Sequence, residues 1–168
     1  MSSAPAHILT DTKNAAISVW LANSLHRPSD AYTQWADRRL AVLALGSKFC
    51  AFRLSDELVH GVGTDSGFSL ASTTLRTLDG PVIHDPGGRR FYALVPPAPP
   101  GPDLGPHAAY LGLGHFVGVP RVGEDEQTET WASYWAVPMS WPGTLCDPAR
   151  VLRLIRAGTA LLGEGADS

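Results

Sequence analysis

The stretch Asp85-Pro86-Gly87-Gly88-Arg89-Arg90-Phe91-Tyr92-Ala93-Leu94-Val95-Pro96 decides how the middle of this chain folds. A Pro-Gly-Gly turn opens onto a run of aromatic and aliphatic residues, a pattern typical of a tight turn that leads into a β-strand. The segment before the turn has strand-like composition as well. We therefore expect two paired strands, at 81–85 and 89–95, joined by the turn at 86–88.

Upstream of this pair the sequence predicts two helices and a hairpin. The first helix is expected to begin at a cap formed by Asp11 or Thr12, after a disordered start at 1–10. Its apolar side chains have the i, i+3, i+4, i+8 spacing of an amphipathic helix: Ile17, Trp20, Leu21 and Leu25. Arg27-Pro28-Ser29-Asp30 ends it and starts a shorter helix through Trp35. The apolar run 40–45 and the segment 48–54 are predicted to form a hairpin around Gly46-Ser47.

The remaining segments add two helices, further strands and a closing helix. Ser55-Asp56-Glu57 resembles a cap and first turn for a helix through Val62, and a second helix is expected over 68–78. A Pro/Gly-rich internal loop at 96–108 cannot hold regular structure. Strands are predicted at 109–113, 116–119 and 131–137, with an acidic loop before the last one. Asp147-Pro148 places a cap and an N1 proline at the start of the final helix.

These elements predict one domain over residues 1–168. Their order is two helices, then strands interrupted by two further helices, then more strands and a closing helix. This order is typical of an α+β fold with a mixed or antiparallel sheet and flanking helices. The acidic loop carries four carboxylates, at Glu124, Asp125, Glu126 and Glu129, and is most simply a solvated loop.

The composition argues against a general DNA-coating protein. The formal net charge is -3, whereas non-specific affinity for DNA depends on the neutralisation of phosphates by basic residues. An acidic chain can still bind a nucleotide in one cleft. The two cysteines, Cys50 and Cys146, are expected to be reduced. No signal-peptide pattern and no membrane-length apolar run is present, so we expect a cytoplasmic protein without a membrane partner.

Three segments, in this order, resemble motifs of one family. They are Phe49–Ser55, the turn and strand at 87–90, and the glycine-rich Leu111–Pro120, followed by the aromatic pair Tyr134-Trp135. Together they are similar to the N-terminal domain of bifunctional DNA primase-polymerases, a branch of the archaeo-eukaryotic primase superfamily. The resemblance covers about the middle two-thirds of the chain and implies a sheet with an RRM-like core.

The chain departs from the family at its functional positions. Arg53 and Ser55 align with two metal-binding aspartates of the family, and Arg90 aligns with its catalytic histidine. No Asp or Glu lies between Asp103 and Glu124, where the family carries a further acidic ligand. The resemblance therefore implies a degenerate member without polymerase activity, with no catalytic residue, no metal and no cofactor.

An arginine in place of a carboxylate reverses the local field, so such a cleft would repel Mg²⁺ and attract phosphate. The candidate phosphate-binding residues are Arg53, Ser55, Arg89, Arg90, Tyr92, His115 and Arg121. By strand alternation, Arg53 and Ser55 should share one face, and Arg90 and Tyr92 should share the face of the neighbouring strand. The alternative is that these arginines lie on a solvated face and pair with Asp or Glu.

Three functions remain open on the sequence alone. The first is the binding of a nucleotide, phosphate or nucleic-acid ligand, which an open basic cleft would favour. The second is a protein-interaction or regulatory module, which a cleft filled by aromatic side chains and an exposed apolar patch would favour. The third is an enzyme of unrelated chemistry, which would require histidine and carboxylate groups converging in a pocket.

The histidines and tryptophans are weaker signals. The six histidines show no short metal-ligand spacing. His84-Asp85 is either an oriented imidazole or, as we favour, a strand end followed by a turn cap, because adjacent residues on a strand point to opposite faces. The five tryptophans are expected wholly or partly in the core more than at a base-stacking surface.

Overall fold

The structure, a computed structural model, describes residues 6–62, 68–128 and 131–166. In this part of the chain it contains five helices and seven strands, which confirms the α+β class. In chain order the elements are α1 (Ala6–Ala22), α2 (Pro28–Arg38), β1 (Leu40–Ala44), β2 (Cys50–Ser55), α3 (Asp56–Val62), α4 (Phe68–Arg76), β3 (Val82–Asp85), β4 (Arg90–Val95), β5 (Ala108–Leu111), β6 (Phe116–Pro120), β7 (Tyr134–Val137) and α5 (Pro148–Ala166).

The strands form two antiparallel sheets. The large sheet has the order β5-β2-β4-β3-β7, and the small sheet pairs β1 with β6. In the centre of the large sheet Arg53 lies opposite Tyr92 and Ser55 lies opposite Arg90. This register fixes which side chains share a face, because directly opposed residues of an antiparallel pair point to the same side.

Each face of the large sheet contributes to a separate part of the core. One face, here called the α1/α2 face, carries Ala51 and Leu94 and packs with α1, α2 and the small sheet. The other, the α3/α5 face, carries Leu54 and Phe91 and packs with α3, α5 and the end of α4. Both faces are therefore buried over much of their area, and the open part of the α1/α2 face lies at the ends of β2 and β4 that hold the arginines.

Local signals in the sequence predict several boundaries correctly. The turn before β4 is closed by the Gly88 N–H, which donates to Asp85 Oδ1 at 3.1 Å. The Ala149 N–H donates to Asp147 Oδ1 at 2.9 Å and caps α5 as expected. Ser55 Oγ accepts from the Leu58 N–H at 3.1 Å and caps α3 in the same way.

The predicted hairpin between 40–45 and 48–54 is wrong. β1 pairs with β6, whereas β2 joins the large sheet between β4 and β5. The Gly46 N–H does bond to the Phe49 carbonyl at 2.9 Å, so a turn forms there. The turn carries the chain from one sheet to the other, and the apolar composition of both strands did not specify that they pair with different partners.

Several element boundaries also differ from the sequence-based expectations. α1 begins at Ala6, so Asp11 and Thr12 lie inside it and 6–10 are helical, whereas 1–5 lie outside the described residues. Leu25 lies beyond the end of α1, α4 ends at Arg76, and β7 begins only at Tyr134. The loop after β4 ends before Ala108, which belongs to β5, and Glu129 of the acidic loop lies outside the described residues. Among the described residues no helix is long and apolar enough to cross a membrane.

Candidate ligand-binding cleft

Four of the seven candidate residues lie together on the α1/α2 face. Arg53 and Ser55 on β2 are directly opposed by Tyr92 and Arg90 on β4. Directly opposed side chains have Cβ atoms about 5 Å apart. These four residues therefore share one face, as strand alternation predicts.

The two central arginines are not held by carboxylates. Arg53 is half-buried and Arg90 is exposed, and within residues 6–62, 68–128 and 131–166 neither makes an ion pair or a side-chain hydrogen bond. Asp85 lies opposite Arg90 across the strands, but its carboxylate bonds to the turn at Gly88. The alternative in which these arginines pair with Asp or Glu is not what the described residues show.

Ser55 is engaged structurally rather than free. Its hydroxyl caps α3 and lies 3.4 Å from His107 Nδ1. Arg89 lies in the turn in the left-handed region, with a φ of 56°. Its carbonyl accepts from the Asp56 N–H at 3.0 Å. Both residues therefore shape the junction between the turn and α3.

Two further candidates are not available in the expected way. Arg121 Nη2 donates to Glu124 Oε1 at 2.9 Å, so its charge is paired on the surface. His115 lies in the turn after β5, at the opposite end of β2 from Arg53, because Leu111 is opposed to Ala51 while Ala108 is opposed to Leu54. The structure therefore does not bring His115 together with the arginines.

A cleft of about 520 Å³ opens between the α2–β1 junction and the α1/α2 face of the large sheet. One wall is formed by the last turn of α2 and the start of β1, and the other by Asp85 and Tyr92. The acidic loop closes one end of the cleft, and it is fixed there by the backbone N–H of Trp135, which donates to the Glu124 carbonyl at 2.8 Å. The lining residues are Asp37, Arg38, Arg39, Leu40, Asp85, Tyr92, Gly118, Glu124, Glu126, Thr128, Trp131, Ala132 and Ser133.

The charge of the cleft is mixed rather than basic. Arg38 and Arg39 line one wall together with Asp37 at the end of α2, and three further carboxylates line the remainder: Asp85, Glu124 and Glu126. Arg53 and Arg90 lie beside the lining residues Tyr92 and Asp85 and are not part of the lining themselves. Sequence reasoning missed Arg38 and Arg39, because only the packing of the α2–β1 junction against the sheet brings them to the cleft.

Aromatic side chains border the cleft without filling it. Trp131 is 68% exposed at its edge, and Tyr92 is half-buried in its wall. The expectation that the tryptophans lie wholly or partly in the core is confirmed for Trp35 and Trp135, which are buried, and for Trp20, which is partly buried against the core. It is wrong for Trp131 and Trp141, which are exposed.

A second polar constellation lies on the α3/α5 face. His84 Nε2 is 3.1 Å from Asp56 Oδ1, and His84 Nδ1 is 2.9 Å from the Tyr134 hydroxyl. The imidazole stacks on Phe91 with ring centroids 4.0 Å apart and planes inclined by 8°. Burial lowers the pKa of His84, although the neighbouring Asp56 opposes that shift, and burial followed by the charge of Asp56 raises the pKa of Tyr134.

The favoured interpretation of His84-Asp85 is confirmed for Asp85, whose carboxylate caps the turn. That interpretation assigned no hydrogen-bond partner to His84. The partner is Asp56, on a helix that precedes β3 in the chain. The sequence holds only the Ser55-Asp56 helix start as a signal, and nothing in it indicates that this helix end meets the end of β3.

Neither cysteine offers a reactive thiol. Both are buried and free, and burial, followed by the charge of Asp79, raises the pKa of Cys146 to about 12. In the part of the chain that the structure describes, no three His, Cys, Asp or Glu side chains are grouped so that they could hold a metal ion. Comparisons with models of protein families, with curated proteins and with solved structures find no match.

Proposed function

We propose that this chain is a degenerate primase-polymerase-like domain that binds a phosphate-bearing ligand, a nucleotide or a nucleic-acid end, without metal-dependent synthesis. The observation that carries the proposal is the open cleft of about 520 Å³ with Arg38 and Arg39 on its wall. Its volume lies within the range of about 300–1,000 Å³ that is typical of small-molecule sites.

The arginine wall suits a phosphate group. Arg38 and Arg39 make no ion pair among the described residues, so their guanidinium groups are available to a ligand. A planar guanidinium donates to a phosphate at two points, which gives both affinity and orientation. Arg53 and Arg90, next to Tyr92 on the sheet, add positive field behind the opposite wall.

The acidic wall limits how an anion can lie in the cleft. Glu124, Glu126 and Asp85 repel a phosphate, so the anionic part of a ligand is expected at the Arg38 and Arg39 side. The uncharged part then meets Tyr92 and Trp131, whose rings can stack on a base. A ligand with one charged end and one aromatic end, as in a nucleotide, matches this division.

The resemblance supports the loss of polymerase chemistry. Phosphoryl transfer by a polymerase uses metal ions to neutralise the charge that develops on the phosphates. Arg53 and Ser55 stand at the family's aspartate positions, and they are an unpaired cation and a helix cap. The antiparallel order β5-β2-β4-β3, with helices between β2 and β3, supports the expected RRM-like core.

The test is calorimetric and thermal-shift titration with ATP, inorganic phosphate and a short single-stranded DNA, each with Mg²⁺ and with a chelator. A ligand present at a hundred times its Kd stabilises the fold by about 2.7 kcal/mol. Binding that does not require Mg²⁺, and that Arg38→Ala weakens, is expected. Arg156→Ala, on the exposed side of α5, is the matched control.

Two outcomes would contradict the proposal. One is the absence of binding to all three ligands, and the other is binding that Arg38→Ala leaves unchanged. Arg90→Ala then separates the contribution of the sheet arginines from that of the cleft wall. Strict dependence on Mg²⁺ would show that the claim of metal-independent binding is wrong.

A protein-interaction module remains the second candidate. The cleft is not plugged by aromatic side chains, but the outer side of the small sheet carries the exposed apolar residues Val42 and Phe116, close in register. Leu113, 87% exposed in the turn before β6, extends this side. Self-association that Phe116→Ser abolishes in sedimentation experiments would favour this candidate.

A further inference from the structure

The segment Pro96–Pro102 contains five prolines in seven residues and connects β4 to the loop before β5. The structure assigns it no helix or strand, and each of its residues is exposed. A proline fixes its own φ near -65°, and it restricts the residue before it to extended conformations. The composition therefore favours a polyproline II conformation over Pro96–Pro100.

One tyrosine ties this segment to the domain. The Ala98 N–H donates to the Tyr110 hydroxyl at 3.0 Å, and that hydroxyl donates to the Ala98 carbonyl at 2.6 Å. The Tyr110 ring is itself held edge-on against the buried Phe52, with centroids 5.3 Å apart. A single residue thus satisfies both polar groups of Ala98 and fixes the middle of the segment.

This anchor determines what the segment presents to solvent. A polyproline II helix has three residues per turn, so Ala98 and Gly101 share one side and the prolines occupy the other two. Ala98 and Gly101 also hold the only backbone N–H groups of the segment, because proline has none. The Ala98 contact turns this side toward the domain, where Pro96, Pro99 and Pro102 border a shallow cavity. All five proline rings remain exposed, and the rings and carbonyl acceptors form the solvent-facing surface of the segment.

The carbonyl groups on the outward surface remain available. Among the described residues no backbone or side-chain hydrogen bond uses the carbonyls of Pro97, Pro99 or Pro100. Proline rings and carbonyl acceptors repeated every three residues are recognised by aromatic grooves. In such grooves tryptophan and tyrosine side chains contact the rings and donate hydrogen bonds to the carbonyls. A segment that is already extended loses less conformational entropy on binding than a free chain does.

We propose that Pro96–Pro100 is a docking surface for a partner protein with an aromatic, polyproline-binding groove. The overlapping Pro96–Pro99 and Pro97–Pro100 repeats supply its contact ridges. Asp103 is the only Asp, Glu, Lys or Arg between Phe91 and Gly114, and its Oδ1 accepts from the Gly105 N–H at 2.8 Å. Its negative charge complements a groove with a basic residue at the end that meets it. Tyr110 and Phe52 lie on the α3/α5 face, so this surface is independent of the cleft.

The test uses the full chain against a panel of purified SH3, WW and EVH1 domains, with binding measured by calorimetry. At least one domain is expected to bind, and the double variant Pro97→Ala/Pro100→Ala is expected to weaken that binding by about tenfold or more. Pro142→Ala, in a different loop, is the matched control. Unfolding curves for each variant establish that the fold is intact.

Tyr110→Phe separates preorganisation from direct contact. The variant keeps the ring against Phe52 and removes the two bonds to Ala98, so affinity is expected to fall by about two- to fivefold without the loss of any groove contact. A chain that binds no domain of the panel would overturn the proposal. Binding that the double proline variant leaves unchanged would overturn it as well.

Discussion

His84 Nε2 lies 3.1 Å from Asp56 Oδ1 and connects the end of β3 to the first turn of α3. A carboxylate can only accept, so the neutral imidazole carries its hydrogen on Nε2, and Nδ1 accepts from the Tyr134 hydroxyl at 2.9 Å. The chain of donors therefore runs from Tyr134 through His84 to Asp56. Three elements, α3, β3 and β7, are joined through one buried imidazole that is 8% exposed.

This geometry predicts a loss of stability on acidification. Burial lowers the pKa of folded His84 below its ordinary value of 6.5, so near that pH the unfolded chain binds the proton more readily than the folded one. The contribution of neutral His84 to the free energy of unfolding should therefore be at its full value above pH 6.5. It should be lost as the pH falls through the lower pKa of folded His84. Asp56 and Asp85 moderate the shift, and His60 reinforces it.

Urea unfolding between about pH 8 and pH 5 measures this dependence. His84→Gln is expected to flatten the decline in the unfolding free energy, whereas His26→Gln, at an exposed histidine far from this site in the chain, should retain it. An unchanged slope in His84→Gln would assign the acid sensitivity to other groups.

Tyr134→Phe should destabilise the protein by roughly 1–3 kcal/mol. The ring and its packing are kept, but His84 Nδ1 loses its donor in a buried site, and an unsatisfied buried acceptor is costly. Tyr32→Phe is the control, because Tyr32 is exposed and its hydroxyl makes no hydrogen bond with the described residues. Equal losses in the two variants, measured by chemical denaturation, would contradict the role given to the Tyr134 hydroxyl.

The sequence predicted features that depend on neighbours in the chain. The cap at Asp147, the proline at the start of α2 and the turn between Asp85 and Arg90 each follow from local conformational preferences. Features that depend on chain topology could not be predicted. Nothing in the apolar run of β1 specifies β6 as its partner, and without that pairing Arg38 and Arg39 cannot be placed at the cleft.

Gly158→Ala should lower stability although alanine favours helices. The substitution gains about 1 kcal/mol in helix propensity within α5. A Cβ at this position would lie 2.6 Å from Leu58 Cγ and 3.0 Å from the Leu58 carbonyl oxygen, and overpacking of this kind costs about 1–3 kcal/mol. In the same helix Gly163→Ala meets nothing within 4 Å and should stabilise the protein. Opposite signs of the change in Tm are expected, and two positive changes would show that α3 and α5 pack less tightly.

Glu124→Gln should strengthen the binding of phosphate and ATP. The change removes one negative charge from the cleft lining and frees Arg121 from its ion pair. The gain should shrink as salt is added, because the interaction of exposed charges is screened. Glu57→Gln, an exposed residue on α3, changes the net charge equally and serves as the control. Equal gains in the two variants would indicate a general charge effect instead of a site at the cleft.

Trp131→Ala should weaken ATP binding, measured with a chelator present, by about 1–3 kcal/mol if the base stacks on this ring. Trp141→Ala is a close control, because Trp141 is 66% exposed and Trp131 is 68% exposed, yet Trp141 borders a different cavity near α1. Trp131→Phe keeps an aromatic face and should retain part of the affinity. Inorganic phosphate has no base, so its affinity should be the same in the wild type and in Trp131→Ala. A loss of phosphate affinity in that variant would mean that Trp131 shapes the cleft, and the stacking role would then be wrong.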